Sequence, residues 1–180
     1  RRLVERHGES WRYCFPWKNW LFWDGIRWSK DVNDKIVERA KDTAAAIYEE
    51  AAEAGRQNMQ KAEALGKWAV SSQSRERIRA MVELARSEIP IAPAELDKDP
   101  WALNVQNGTL DLRTGALRQH KREDLITKLA PVEFARDAVC PRFQKVVMDS
   151  ANGDPDLAVY IQRHLGYALT GDTSEECLFF

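Results

Sequence analysis

The residue types able to do chemistry in this chain are few and scattered. Two Asp-x-Asp pairs stand out, Asp97-Lys98-Asp99 and Asp154-Pro155-Asp156. Paired carboxylates are what a primase or polymerase uses to hold a divalent cation. The second pair has a complete structural account, because Asp154 suits a helix N-cap and Pro155 the first helical position. The first pair lies in a loop before Pro100. His7, His120 and His164 show no ligand spacing with cysteines or carboxylates, so no zinc site is read. His120 with Lys121 and Arg122 reads as a solvated basic turn, and His164 as structural. Gly66-Lys67 fails as a phosphate loop, since Lys61 stands where that pattern needs glycine and the surrounding text is helical. No Gly-x-Ser-x-Gly nucleophile motif occurs. The reading assigns these residues no catalytic, metal or cofactor-binding role.

Two groups of residues suit binding instead. Lys67, Arg75, Arg77 and Arg79 gather around Trp68, beside a helix start at Ser74. Grouped cations near a helix N-terminus are what phosphate binding requires, so these five form the candidate nucleic-acid-binding set. The competing account is a solvated helix start balanced by Glu76 and Glu83. Arg75, Arg77 and Arg79 alternate, and on a helix they do not all share one face. The second group is aromatic: Trp11, Phe15, Trp17, Trp20, Trp23 and Trp28, with Arg12, Lys18 and Arg27 among them. Such rings can stack on single-stranded bases. They can equally fill a core under a β-hairpin, and that reading is preferred because buried aromatics dominate core energetics.

Stepping outward to the elements, the pattern predicts an α+β fold, predominantly helical. Trp11 to Trp28 reads as two or three short strands with turns at Pro16 and Asp24-Gly25. Asp31 to Ala54 is a helix capped by Asp31 or Asn33, with an apolar stripe of Ile36, Ala40, Ala44, Ile47, Ala51 and Ala54. Glu38, Lys41, Asp42, Glu49 and Glu53 occupy its opposite face. A second helix over 57–70 turns Met59, Ala62, Leu65 and Ala69 inward. A third over 75–88 is capped by Ser74 and turns Ile78, Met81, Val82 and Ala85 inward. Ile89-Pro90-Ile91-Ala92-Pro93 is a linker. Small β elements then occupy 102–132. Asn107-Gly108 and Thr114-Gly115 are the turns of a meander burying Leu103, Val105, Leu110, Leu112 and Leu117, and 125–132 is another strand. A C-terminal helix pair closes the chain. Phe143, Val146 and Val147 are the apolar positions of its first helix, Leu157, Ile161, Leu165 and Ala168 those of its second, which Gly171 ends. Cys177 to Phe180 opens a further strand. The division is into 1–88, an aromatic hairpin plus helical subdomain (31–88 helical), and 94–180, the meander plus C-terminal helices.

Composition narrows the class. Apolar residues make up 44% and charged residues 31%, which fits a soluble protein; no run approaches the ~20 apolar residues of a membrane span. The three cysteines are odd in number and far apart, which fits a reducing compartment and a cytoplasmic setting. The formal net charge is −1, so any DNA contact depends on local charge asymmetry.

The text Asp99-Pro-x-x-Leu-Asn-Val-x-Asn-Gly-Thr-Leu-Asp-Leu-x-Thr-Gly-x-Leu resembles the domain just ahead of the helicase core in phage and plasmid primase-helicases, a family with poxvirus relatives. So do Gly153-Asp-Pro-Asp-Leu, Gln162-Arg-His-Leu-Gly-Tyr-Ala-Leu-Thr-Gly-Asp and the opening Trp20-Leu-Phe-Trp-Asp-Gly-x-Arg-Trp28. The resemblance implies an accessory domain of a DNA replication helicase-primase, on the N-terminal side of a superfamily 3 ATPase. It implies a role in oligomer assembly or in guiding single- or double-stranded DNA, in a bacterial host cell. Its partners would be DNA, its own ATPase domain and further copies of itself, with no membrane. The chain starts at Arg1 without methionine and stops at Phe180, so it is expected to be part of a longer protein. In the family the closing apolar run leads into a loop ending Gly-Lys-Ser or Gly-Lys-Thr, and ATP and Mg are expected there, not here. Two other readings stand beside this one. The first is a pure protein–protein interaction module using helix 31–54. The second is part of a primase or polymerase active site built on Asp97 and Asp99.

Overall fold

The computed structural model describes residues 1–174 and residue 176; the strand expected at Cys177 to Phe180 lies outside the described residues. Among the described residues there are six α-helices and two three-stranded antiparallel sheets, so the fold is α+β and mostly helical. The chain divides into two compact units. One comprises Arg1–Asp24 and Trp28–Leu96; the other runs from Asp97 and takes in the Gly25–Arg27 turn.

The first unit opens with α1 (Arg2–His7) and a three-stranded sheet, β1 (Trp11–Cys14), β2 (Asn19–Trp23) and β3 (Trp28–Lys30). Tyr13 pairs with Trp20 and Trp11 with Phe22 across β1 and β2. Trp11, Tyr13, Trp20 and Trp28 are buried, as the core reading of the aromatics predicts. The sheet packs on α2 (Lys35–Gly55) and α4 (Arg75–Ala85), where Leu3, Ile36, Ala40, Ala44, Ile78, Val82 and Ala85 complete the core.

The start of α2 is held by Asp31, whose carboxylate accepts from the amides of Asn33, Lys35 and Ile36 at 2.9–3.2 Å. Two orphan amides of the first helical turn, Lys35 and Ile36, are thereby satisfied. Asn58 caps α3 (Met59–Ser72) by accepting from Lys61 N, and Ser74 caps α4 by accepting from Arg77 N. Met59 does not face inward: it is 75% exposed, at the first position of α3, while Ala69 and Ser72 form the buried contact. The 89–93 segment is pinned to β1. Tyr13 N donates to the Ile89 carbonyl and Ile91 N to the Tyr13 carbonyl, each at 2.9 Å, and Ile91 is buried. Pro90 sits between the two bonds, where its missing N–H is not needed.

The second unit carries β4 (Ala102–Val105), β5 (Gly108–Asp111) and β6 (Ala116–Arg118) in sequential order. The first hairpin is present with its turn displaced by one residue. Val105 pairs with Gly108, so Gln106-Asn107 are the turn residues and Gly108 opens the strand. The Asn107 amide is used at a distance, accepting from Phe134 N at 3.0 Å and donating to the Phe134 carbonyl at 2.9 Å. At the second turn Gly115 takes φ +70°, and Asp111 accepts from Arg113 N at 2.8 Å and Thr114 Oγ1 at 3.0 Å.

Val105 and Leu110 are buried as expected, but Leu117 on edge strand β6 is exposed. The opposite face is covered as well: Asn104 and Thr109 are buried. Residues 125–132 do not form a strand. They meet β4 and the turn after it through two isolated backbone bonds, Ala130 N to the Asn104 carbonyl and Gln106 N to the Val132 carbonyl, each 2.9 Å; Pro131 lies between them with no amide to donate.

Two helices follow, α5 (Pro141–Ser150) and α6 (Pro155–Ala168). Asp154 accepts from Asp156 N and Leu157 N, with Pro155 at the first helical position. The apolar stripes of the pair are largely uncovered: Phe143, Val146, Leu157 and Leu165 are exposed. Helix α6 ends before Gly171, whose amide donates to the Pro100 carbonyl at 2.7 Å.

Candidate nucleic-acid interface

The five residues that the sequence groups together are divided by the fold. Lys67 lies on the outer side of α3 and pairs with Glu63 one turn back, at 2.8 Å. Trp68 is partly covered by the Arg2 guanidinium, 4.5 Å above its ring; Arg2 also bonds Glu50. Arg77 reaches back across the α3–α4 turn to the Ser71 hydroxyl. Trp68 and Arg77 thus tie α3 to its neighbours, whereas the exposed Lys67–Glu63 pair lies within α3.

Arg75 and Arg79 are one helical turn apart and share a face of α4. They line a groove of about 700 Å³ with Asp34, Val37, Lys41, Ala45, Gln73 and Ile78. Val37, Lys41 and Ala45 lie one turn apart on α2, and Ile78 is the buried apolar residue of the set. Lys41, Arg75 and Arg79 are exposed, and among the described residues none of them is joined to a carboxylate within ion-pair distance. Asp34 is the single acid of the lining. Three cations without internal partners, over a small apolar floor beside a capped helix start, can hold phosphate oxygens.

Lys41 was not in the sequence-derived set. Its position beside Glu38 and Asp42 on the polar face of α2 reads as solvated, and only the packing of α4 against α2 brings it to Arg79. The one available signal was spacing, since Lys41 sits one turn after Val37, which packs against the core.

The remaining chemical candidates have local duties. Asp97 accepts from Thr127 N at 2.7 Å and from Thr127 Oγ1 at 2.5 Å. Asp99 accepts from Trp101 N at 3.1 Å and lies 3.5 Å from the Arg113 guanidinium. Among the described residues no three His, Cys, Asp or Glu side chains gather as a metal site would require. His120 is not a free turn residue. Its Nδ1 lies 2.9 Å from Asn104 Oδ1 and its Nε2 3.3 Å from the Gln106 carbonyl. Asn104 Nδ2 donates to the Ile26 and Lys128 carbonyls, so Asn104 turns its Oδ1 towards the imidazole as an acceptor.

Among the described residues the arrangement is a small α+β domain whose helical unit carries a groove lined by Lys41, Arg75 and Arg79. Residues 1–150 match the family described as D5 N terminal like. The chain therefore belongs to this family, the N-terminal domain of phage and plasmid primase-helicase proteins. No curated protein matches the chain. No helix among the described residues is long and apolar enough to cross a membrane.

Proposed function

We propose that this domain serves a DNA replication primase-helicase by holding single-stranded DNA through its sugar-phosphate backbone, in the groove between α2 and α4. One observation carries the reading: Lys41, Arg75 and Arg79 converge there without a carboxylate partner. Unsatisfied cations on a surface of otherwise balanced charge create the local asymmetry that a chain of net charge −1 needs to attract a polyanion. In this reading ATP hydrolysis with Mg belongs to a separate ATPase domain, and this domain positions the strand. The test is to replace Lys41, Arg75 and Arg79 together with glutamine and measure oligo-dT affinity. The expected result is a large loss with an unchanged melting curve. The control variant replaces Lys67 and Arg77, and affinity loss confined to the control would reject the groove.

A second reading, a protein interaction module, is favoured by the uncovered apolar residues of α5 and α6. The surface first suggested for that role, the alanine stripe of α2, is consumed internally, with Ala40, Ala44 and Ala51 buried. An assembly role thus shifts to the C-terminal helix pair.

A further inference from the structure

The turn between β1 and β2 presents four consecutive exposed residues, Phe15, Pro16, Trp17 and Lys18. Phe15 is 52% exposed and Trp17 38%, whereas Trp11, Trp20 and Trp28 of the same sheet are each 6% exposed or less. The fold thus separates one aromatic run into core rings and tip rings. We propose that this tip is a base-stacking site for single-stranded nucleic acid, with Trp17 as the platform and Lys18 and Lys30 as the charges that meet the adjoining phosphates. The proposal rests on the single-strand reading above but uses none of the groove residues.

The tip is fixed in place. Lys18 N donates to the Phe15 carbonyl at 3.0 Å, and Pro16 presets the backbone between them. Lys18 adopts a left-handed conformation with φ +49°, and Cys14 pairs with Asn19 directly behind the turn. The Phe15 ring stands edge-on to Tyr13, centroids 4.8 Å apart at 86°, and Tyr13 is buried in the core. An aromatic held this way loses little further entropy on binding.

Charge decides what the rings would meet. Lys30 Nζ lies over one face of the Trp17 ring, 4.7 Å from its centroid, so a base would stack on the other face of the indole. Among the described residues neither Lys18 nor Lys30 is joined to a carboxylate. An apolar protein partner would have to bury the ammonium groups of Lys18 and Lys30, neither of which is joined to a carboxylate, and that is costly. A nucleotide supplies a π face for the ring and an anion for each lysine, the pairing used by sequence-tolerant single-strand sites. Two exposed rings limit the site to one or two bases.

The test compares the wild-type chain with Trp17→Ala, Trp17→Phe and Lys18→Gln/Lys30→Gln, using labelled oligo-dT, a duplex of matched length and an oligonucleotide carrying one aminopurine base. Trp17→Ala should weaken oligo-dT binding about five- to a hundred-fold, leave duplex binding and the melting midpoint unchanged, and abolish quenching of aminopurine. Trp17→Phe should recover most of the loss. The lysine variant should weaken binding and lower its salt dependence. Wild-type oligo-dT affinity in Trp17→Ala overturns the proposal, as does an equal loss for single strand and duplex or an absence of single-strand binding by the wild-type chain. If Trp17→Ala binds normally while the Lys41/Arg75/Arg79 variant does not, the tip fails and the groove stands. The reverse outcome rejects the groove alone.

Discussion

Gly108 illustrates how much one residue decides. A Cβ placed there would collide with the Arg118 carbonyl oxygen and lie 2.9 Å from Leu117 Cδ1, both belonging to the neighbouring strand. Gly66, within α3, has nothing within 4 Å. Gly108→Ala should therefore destabilise the protein by about 1–3 kcal/mol through overpacking. Gly66→Ala should stabilise it by up to about 1 kcal/mol through helix propensity. Urea unfolding of the two variants checks the pair, and equal effects would contradict it. His7 supplies a pH dependence. Burial, and then the Arg39 charge, holds its imidazole below the ordinary value of 6.5. A base whose folded value is depressed takes up its proton first in the unfolded chain. Stability should thus be full above 6.5 and fall as pH drops from there towards the depressed value. His7→Gln should flatten that part of the stability profile, measured by thermal melts across the window.

At the scale of elements, two helix surfaces with similar sequence patterns meet different fates. The stripe of α2 is buried, while α5 and α6 leave Phe143 52%, Val146 60% and Leu157 43% exposed. Side chains so exposed contribute little to folding, and surface substitutions usually change stability by less than about 0.5 kcal/mol. Phe143→Glu with Val146→Glu should leave the melting curve in place. If the helix pair mediates assembly, the same variant should remove concentration-dependent association in light scattering. Persistent association would place the contact elsewhere.

At the scale of the whole molecule, charge is close to balanced and the binding reading depends on its local distribution. The three cations of the groove contribute about −2 to the slope of log single-strand affinity against log salt, given roughly −0.7 per phosphate neutralised, and the tip lysines would steepen it further. A titration series in potassium chloride measures it. A flat dependence would remove the backbone-binding role. Membership of the D5 N terminal like family places the domain among primase-helicase proteins, and that setting makes a strand-holding role worth testing first.

Periodicity, capping residues and turn signals act over a few positions along the chain. For that reason the helices of both units, the caps at Ser74 and Asp154 and the short strands of both sheets follow from the sequence by itself, whereas the Asn58 cap of α3 is not read there. The displaced Gln106-Asn107 turn does not, because strand pairing and the crowding of Gly108 against Arg118 override the local preference of Asn-Gly. The 125–132 segment reads as a strand because its apolar content fits one, yet a strand needs a partner edge, and only two of its backbone groups find one. The binding residues divide in the same way. Arg75 and Arg79 are marked by their type and spacing, but Lys41 joins them only because α2 and α4 pack side by side. The aromatic run could be counted in the sequence, but which rings are buried depends on strand register and on where the turn projects. Local chemistry is set by neighbours in the chain; the meeting of distant side chains is set by packing, and both candidate binding surfaces are of that second kind.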